Sequence, residues 1–414
     1  MRAIILSIGD ELILGQIVDT NAAWLSARLV EQGVMPLSHR AVPDDLDAIS
    51  TAVKEAAGQA ELVIISGGLG PTQDDLTRQA IAKTAGVALV LHKPSLDALI
   101  SFFKGRAWTM SESNRIQAMI PAGAEVLANP AGTAPGFRIA IGRAIVVVVP
   151  GVPREMEVMF LKHIVPMLAE KSGNKILTMK LNCFGLGESV VGEKLGELMR
   201  RDRNPLVGTT VSGGICAIRI RGEFDDAAAG VRQMHATADE IKKRLGGSIF
   251  GEGDIGLAET VGGMLKAACK TLATAESCTA GLLAAMLTET PGSSAYFCGG
   301  WVVYSNKMKT DQLGVPADLI CREGAVSKPV ACKMAEGALE RSGADYALAI
   351  TGVAGPDGGS PEKPVGTVWI ALAEKKEGGV EIYAEKFFFP GARALVRERA
   401  AKLALNILRL RMGK

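Results

Sequence analysis

The heptapeptide Ala275-Glu276-Ser277-Cys278-Thr279-Ala280-Gly281 lies between the apolar run Thr271-Leu272-Ala273-Thr274 and the helix-forming stretch Leu282-Leu283-Ala284-Ala285-Met286-Leu287. A serine on such a strand-to-helix turn sits where unpaired backbone N–H groups and the helix dipole favour developing negative charge, as a nucleophile and its oxyanion require. The same hydroxyl is also a favoured helix N-cap, and the heptapeptide by itself does not separate the two roles. Cys278 is a rival nucleophile at the same helix start. No histidine stands near it in sequence, and its side chain should point away from that of its neighbour, so Ser277 is preferred.

Downstream, the run Phe297 to Tyr304 leads into Ser305-Asn306-Lys307, which places Tyr304 and Lys307 at the end of a neighbouring strand. A lysine serves as base to a serine only when neutral, so burial or a nearby cation must lower it from a free value of about 10.4. In this arrangement Lys307 is the expected base and Tyr304 a proton relay. Taken singly, Tyr304 reads equally as a strand-end aromatic and Lys307 as a solvated charge. A further strand ends in Ile350-Thr351-Gly352-Val353-Ala354-Gly355-Pro356 and opens into a glycine-rich loop reaching Gly366. Glycines after a strand let backbone N–H groups converge on an anion, so this loop is a candidate phosphate cradle. Arg393, at the start of the final helix, could close the clamp with its planar fork or be a surface charge, while Arg397 and Arg399 read as a solvated face.

A second constellation lies near the N-terminus. The first strand delivers Gly9-Asp10-Glu11-Leu12-Ile13-Leu14-Gly15, followed by Asp19-Thr20-Asn21, and another delivers Ser66-Gly67-Gly68-Leu69-Gly70-Pro71-Thr72-Gln73-Asp74-Asp75. Glycines permit close backbone approach to phosphate oxygens, and carboxylates just beyond can hold a hard divalent cation on a pyrophosphate. Asp74 and Asp75 read equally as caps of the helix that follows, and Glu11 as a solvated acid.

The elements that position these groups follow from periodicity. Short β-branched runs alternate with helix-period segments over residues 1–170 and again over 253–414, which predicts sheets of mostly parallel strands with helices on both faces. Ligands of such sheets bind beyond the carboxyl ends of the strands, where both constellations fall. Between them a smaller α+β unit spans 171–252, opened by Lys171-Ser172-Gly173-Asn174 and closed by a linker at Gly251-Glu252-Gly253-Asp254. The fold class expected is thus α/β, with two three-layer domains and a small α+β domain between them.

A chain of 414 residues implies two or three such domains, and 48% hydrophobic content fills them. With 46 basic and 44 acidic residues, the charge lacks the footprint of a dedicated nucleic-acid binder. Seven cysteines without a Cys-x-x-Cys pair read as reduced, mostly packed thiols of a cytoplasmic protein, and no apolar run suits a signal peptide or a membrane span. Edge strands and the methionines between Met156 and Met167 point to a homodimer, although core packing explains the methionines equally well.

Taken together, Glu276-Ser277-Cys278-Thr279, Tyr304-Ser305-Asn306 with Lys307, and Thr351-Gly352 with Ala354-Gly355-Pro356 resemble the nicotinamide-nucleotide amidohydrolase domain of the CinA family. The glycine motifs of the front half, with Asn129-Pro130-Ala131-Gly132-Thr133-Ala134-Pro135-Gly136 and Pro150-Gly151-Val152-Pro153-Arg154-Glu155-Met156, are similar to that family's molybdopterin-binding-type domain, and the middle unit to its KH-type insert. Ala280 departs from the pattern, standing where members often carry glycine.

The resemblance implies two hydrolases of pyridine-nucleotide recycling. The C-terminal domain would deamidate nicotinamide mononucleotide (NMN) without a cofactor. Ser277 would be its nucleophile, Lys307 and Tyr304 its proton carriers, and Thr279, Thr351, Gly352, Ala354, Gly355 and Arg393 its substrate contacts. The N-terminal domain would split ADP-ribose into AMP and ribose 5-phosphate with a divalent metal of the magnesium or cobalt type. There Glu11, Asp74 and Asp75 would be metal ligands, and Asn21, Gly67, Gly68, Gly70, Thr72 and Asn129 ligand contacts. The resemblance leaves two other readings open. One is a molybdopterin- or nucleotide-binding module without hydrolysis; the other is a nucleic-acid interaction protein linked to competence. Against the second, Phe184-Gly185-Leu186-Gly187-Glu188 carries an acid where a nucleic-acid-binding KH loop has basic flanks.

Overall fold

The structure, a computed structural model, describes residues 1–106, 108–169 and 175–413. The break expected at Lys171-Ser172-Gly173-Asn174 lies outside the described residues. By contacts the chain divides into two compact units, one of Met1–Leu177 with Arg221–Gln233 and the other of Thr178–Ile220 with Met234–Lys414.

In the first unit, strand Arg2–Ile8 lies parallel between Met35–Val42 and Leu62–Ser66, and Leu62–Ser66 pairs in parallel with Ala144–Val149. Gly136–Ile141 and Glu125–Leu127 extend this sheet antiparallel, so it is mixed rather than parallel throughout. Side chains alternate across the pleat. Ile4, Leu6, Val63, Ile65, Val146 and Val148 enter one core, and Ala3, Ile5, Leu62, Ile64, Val147 and Val149 the other. Burial on both faces is why these strands read as unbroken apolar runs.

The second unit repeats the scheme. Leu272–Glu276 lies parallel between Phe297–Val302 and Tyr346–Gly352, and Thr367–Lys376 and Gly379–Phe388 continue antiparallel. Its two faces differ in size. Leu348, Ile350, Ile370 and Leu372 pack under the closing helix Arg393–Met412, whereas Ala273, Ala275, Ala347, Ala349, Ala371 and Ala373 lie on the side of helix Lys328–Ser342. Alanines bring that helix close. A Cβ on its Gly337 would lie 2.0 Å from the Leu313 carbonyl oxygen.

The smaller α+β element carries a sheet in the order Leu206–Ser212, Ile215–Phe224, Lys175–Phe184, Ile249–Glu252, with helices Glu188–Leu195 and Ala227–Leu245. The linker expected at Gly251-Glu252-Gly253-Asp254 begins inside this sheet, because Gly251 and Glu252 pair with Asn182 and Leu181. Among the described residues no helix is long and apolar enough to cross a membrane.

Candidate active site

Strand Leu272–Glu276 lies second from the edge of its sheet, between two parallel neighbours, and ends at Ser277, whose N–H donates to the Ile350 carbonyl of the adjacent strand at 2.9 Å. The chain then turns through Ala280 at φ 50° and Gly281 at φ 88°, and helix Leu282–Thr288 begins. Left-handed backbone at position 280 accounts for glycine being the easier residue there. Ser277 is not the cap of this helix, since Gly281 holds that position. The first-turn N–H groups of Leu283 and Ala284 donate instead to the carboxylate of Glu276, which is 1% exposed, at 3.1 and 2.8 Å. The helix dipole is therefore answered by Glu276 rather than aimed at the serine, which corrects the sequence expectation.

What faces the serine is Lys309. Its Nζ lies 3.0 Å from Ser277 Oγ, 2.9 Å from the Val303 carbonyl and 3.2 Å from the Tyr304 carbonyl, and the residue is 1% exposed. Nζ donates to all three oxygens; once deprotonated, it would keep two N–H bonds to the carbonyls and turn its lone pair to the serine hydroxyl. Burial drives the Lys309 ammonium below the usual lysine value, and only the Cys278 thiolate form opposes the shift.

Lys307 is not at the site: its side chain is 82% exposed and pairs with Asp311. The two lysines share helix Asn306–Leu313, and a separation of two residues turns the side chain through about 200°, so one points in as the other points out. Tyr304 is likewise displaced from its expected role. Its ring is 58% exposed, and its hydroxyl accepts from Arg393 Nη2 at 3.0 Å, so its carbonyl rather than its phenol touches the lysine.

Arg393 also donates through Nη1 to the Gly355 carbonyl at 2.8 Å, fastening the glycine-rich loop. Thr351 spends its hydroxyl on the Ala325 carbonyl at 2.9 Å, and Gly352 is pressed against Thr367 and Val368, where a Cβ would lie 2.7 Å from the Val368 side chain. Ala354, at the start of that loop, is buried in the apolar core. Thr279 is fully buried, and its Oγ1 has no partner among the described residues. Its carbonyl accepts from Arg397 Nη2 at 2.8 Å, so Arg397 braces the nucleophile loop instead of facing solvent. Neither the Cys278 nor the Thr279 N–H has a backbone acceptor among the described residues.

Cys278 lies in the apolar core, and burial pushes its thiol up to about 11, which keeps it protonated and disfavours it as nucleophile. All seven cysteines are free, with Cys269, Cys298 and Cys321 exposed rather than packed.

The front-half motifs also meet at strand ends, around a cavity of about 440 Å³ lined by Gly67, Gly68, Gly70 and Thr72 together with Glu11, Asp44, Asp74 and Asp75. The glycines are needed for close packing. A Cβ on Gly67 would fall 2.4 Å from the Ile8 carbonyl oxygen, and one on Gly68 would fall 2.0 Å from Thr77 Oγ1. Asp75 is committed to the loop, accepting from Gly70 N–H at 2.6 Å, from Thr72 N–H at 2.8 Å and from the Thr72 hydroxyl. It is thus a loop clamp rather than a metal ligand. Arg78, fully buried, completes the clamp by donating to the Leu69 and Gly70 carbonyls at 2.7 and 2.6 Å, and burial lowers it to about 10. Asn21 bridges Ser66 Oγ and the Gly151 carbonyl at 3.0 and 2.7 Å. Asn129 spends both ends of its amide within the protein.

Asp44 is raised, first by burial and then by the charges of Asp10, Glu11 and Asp74. Such a cluster is short of positive charge, and its oxygens suit a hard divalent ion. Among the described residues no three acids, histidines or cysteines are set to hold a metal by themselves. A magnesium-type ion needs only one or two carboxylates when ligand phosphates and waters complete its shell. Glu11, Asp44 and Asp74 fit that requirement, and Asp75 does not. The sequence motifs single out neither Asp44, Arg78, Glu276 nor Lys309.

Comparison with known proteins covers almost the whole chain. The family described as "CinA C-terminal domain" matches residues 254–412, "Probable molybdopterin binding domain" matches 4–170, and "Damage-inducible protein CinA KH domain" matches 178–251. CinA-like proteins of Kosmotoga olearia and Geobacter metallireducens are each 41% identical, covering 99% and 100% of this chain and 98% and 99% of theirs. A solved competence/damage inducible protein, CihA from Agrobacterium tumefaciens, is 40% identical over 38% of this chain and 94% of its own, with a TM-score of 0.36.

Proposed function

Given that this chain belongs to the CinA family, we propose that its C-terminal half is a serine amidohydrolase that converts NMN to nicotinate mononucleotide and ammonia. The observation that carries this reading is the buried Lys309 amine 3.0 Å from Ser277 Oγ. Neutral Lys309 takes the hydroxyl proton as Oγ bonds to the carboxamide carbon and the carbonyl electrons move to oxygen. The N–H groups of residues 278 and 279, which have no backbone acceptor among the described residues, are the candidate donors for that oxyanion. Lys309 returns the proton to nitrogen as the C–N bond breaks and ammonia leaves. A water then gives its proton to Lys309 and attacks the acyl-serine, and the proton finally goes back to Oγ. Outside the reacting bonds, the exposed Tyr304 ring offers a face to the cationic pyridinium, and Arg393 offers its remaining N–H groups to the 5′-phosphate. Full-length protein incubated with NMN is expected to release one ammonia per nicotinate mononucleotide with no metal added, followed by coupled ammonia assay and mass spectrometry. NMN recovered unchanged would reject the reading.

For the front half, the glycine-loop cavity supports binding of a pyrophosphate-linked nucleotide, with ADP-ribose the candidate that the family resemblance supplies. A divalent ion held by one or two of Glu11, Asp44 and Asp74, with phosphates and waters completing its shell, would offset the negative charge that phosphates meet there. Calorimetry with magnesium present is expected to show ADP-ribose binding, and absence of any heat with both ADP-ribose and pyrophosphate would reject it. AMP release in the same mixtures distinguishes a pyrophosphatase from a binding module, and copurified molybdopterin would favour the molybdopterin reading instead.

A further inference from the structure

Beside the glycine-loop cavity of the first unit lies a second one of about 410 Å³ with different chemistry. Leu99, Phe102, Val126 and Pro135 give it apolar walls, and no carboxylate lines it, in contrast to the acid-rich chamber next door. The bent segment 132–135 runs between them. Gly132 and Pro135 line the apolar chamber, Ala134 the acidic one, and Thr133 both.

This partition is fixed from several sides. Asn129 Oδ1 accepts the N–H groups of Ala131 and Gly132 at 3.0 and 2.9 Å, while Nδ2 donates to the Ala134 carbonyl at 2.9 Å and to Glu155 at 2.6 Å. Gln117, only 2% exposed, donates to Thr133 Oγ1 at 3.2 Å. The backbone at Gly132 runs so close to Glu155 that a Cβ would sit 2.1 Å from its carboxylate. A partition braced in this way, with Thr133 lining both chambers, favours pre-organised binding.

Resting on the front-half reading above, we propose that the apolar chamber is the subsite for the aromatic base of a pyrophosphate-linked nucleotide, which straddles Thr133 with its phosphates on the glycine-loop side. A planar, uncharged heterocycle matches the walls in character and fits within the chamber. Phe102 supplies a ring edge or face, one side of the ring being taken by the Arg106 guanidinium 3.7 Å from its centroid. His92 supplies the polar contact. Its Nδ1 is engaged by Ser95 at 2.7 Å, and its Nε2 has no partner among the described residues, leaving that atom to read the edge of the base. The charged phosphates have no comparable place in this chamber, so the ligand has one orientation.

The test compares two ligands on the full-length protein with magnesium present. Ala98 is exposed on the helix that borders the chamber, so Ala98→Trp fills the space without disturbing the core. Calorimetry is expected to show ADP-ribose weakened by about tenfold or more and inorganic pyrophosphate held within about twofold, the latter also reporting that the unit is folded. Phe102→Ala should weaken ADP-ribose in the same selective way. Undiminished ADP-ribose affinity in Ala98→Trp would overturn the base chamber and leave the front-half reading standing. Wild-type protein that binds pyrophosphate and not ADP-ribose would also overturn the chamber, and binding of neither would overturn both.

Discussion

Replacing Lys309 by methionine is expected to slow ammonia release from NMN by about 10³-fold, whereas Lys307→Ala leaves it within about twofold. Methionine fills the same buried volume without a proton-accepting nitrogen, so Ser277 loses its base while the core stays packed. Lys307 reaches only Asp311 and solvent. The pH dependence follows from the burial of Lys309. Its ammonium is disfavoured in the folded protein, so kcat/KM should rise with pH through an apparent pKa below 10.5 and then level off. The same depression is a stability statement. Between the folded value and 10.5, the unfolded chain holds a proton that the folded one has released, so stability rises with pH in that window. Lys309→Met should abolish that slope in urea titrations at different pH values. Equal activity in Lys309→Met and wild type would remove the lysine from the mechanism.

Ser277→Ala should cost about 10⁴-fold or more in the same assay, with Cys278→Ala within a few-fold of wild type. Ser277 faces the amine, while Cys278 packs among apolar side chains with its thiol held up near 11. Mass spectrometry of protein quenched during turnover would place the acyl adduct on the peptide and residue concerned. An active Ser277→Ala protein with an acylated Cys278 would reverse the assignment.

The first sheet could be read from its β-branched runs because burial on two faces leaves an unbroken apolar signature, and the strand-to-helix turn at Ser277 followed from the α/β alternation of the second. Which lysine faces it could not be read so directly. In Asn306–Leu313 the apolar residues are Met308 and Leu313 alone, five apart, and they do not fix the phase of the helix. The available signal was that Lys309 stands four residues before Leu313, on the face that is buried. Asp75 illustrates the opposite difficulty. A carboxylate before a helix reads as functional, yet this one accepts backbone N–H groups and sets the shape of its loop, as Glu276, given no role from sequence, also does. Arg397 was hidden for a similar reason, since its acceptor is a carbonyl more than a hundred residues away in sequence. Gly251 and Glu252 looked like a linker because a four-residue edge strand is too short to show a period.

The closing helix Arg393–Met412 carries a practical warning for anyone who would excise the catalytic half. Its first turns fasten the nucleophile and glycine loops through Arg393 and Arg397. Farther along, Lys402 donates to the Gly213 carbonyl, and Arg409, 9% exposed, donates to the carbonyls of Gly247 and Ile249. A cut placed just ahead of residue 253 would strip a nearly dry guanidinium of two of its acceptors, on the same rod that steadies the catalytic loops about three to four turns upstream.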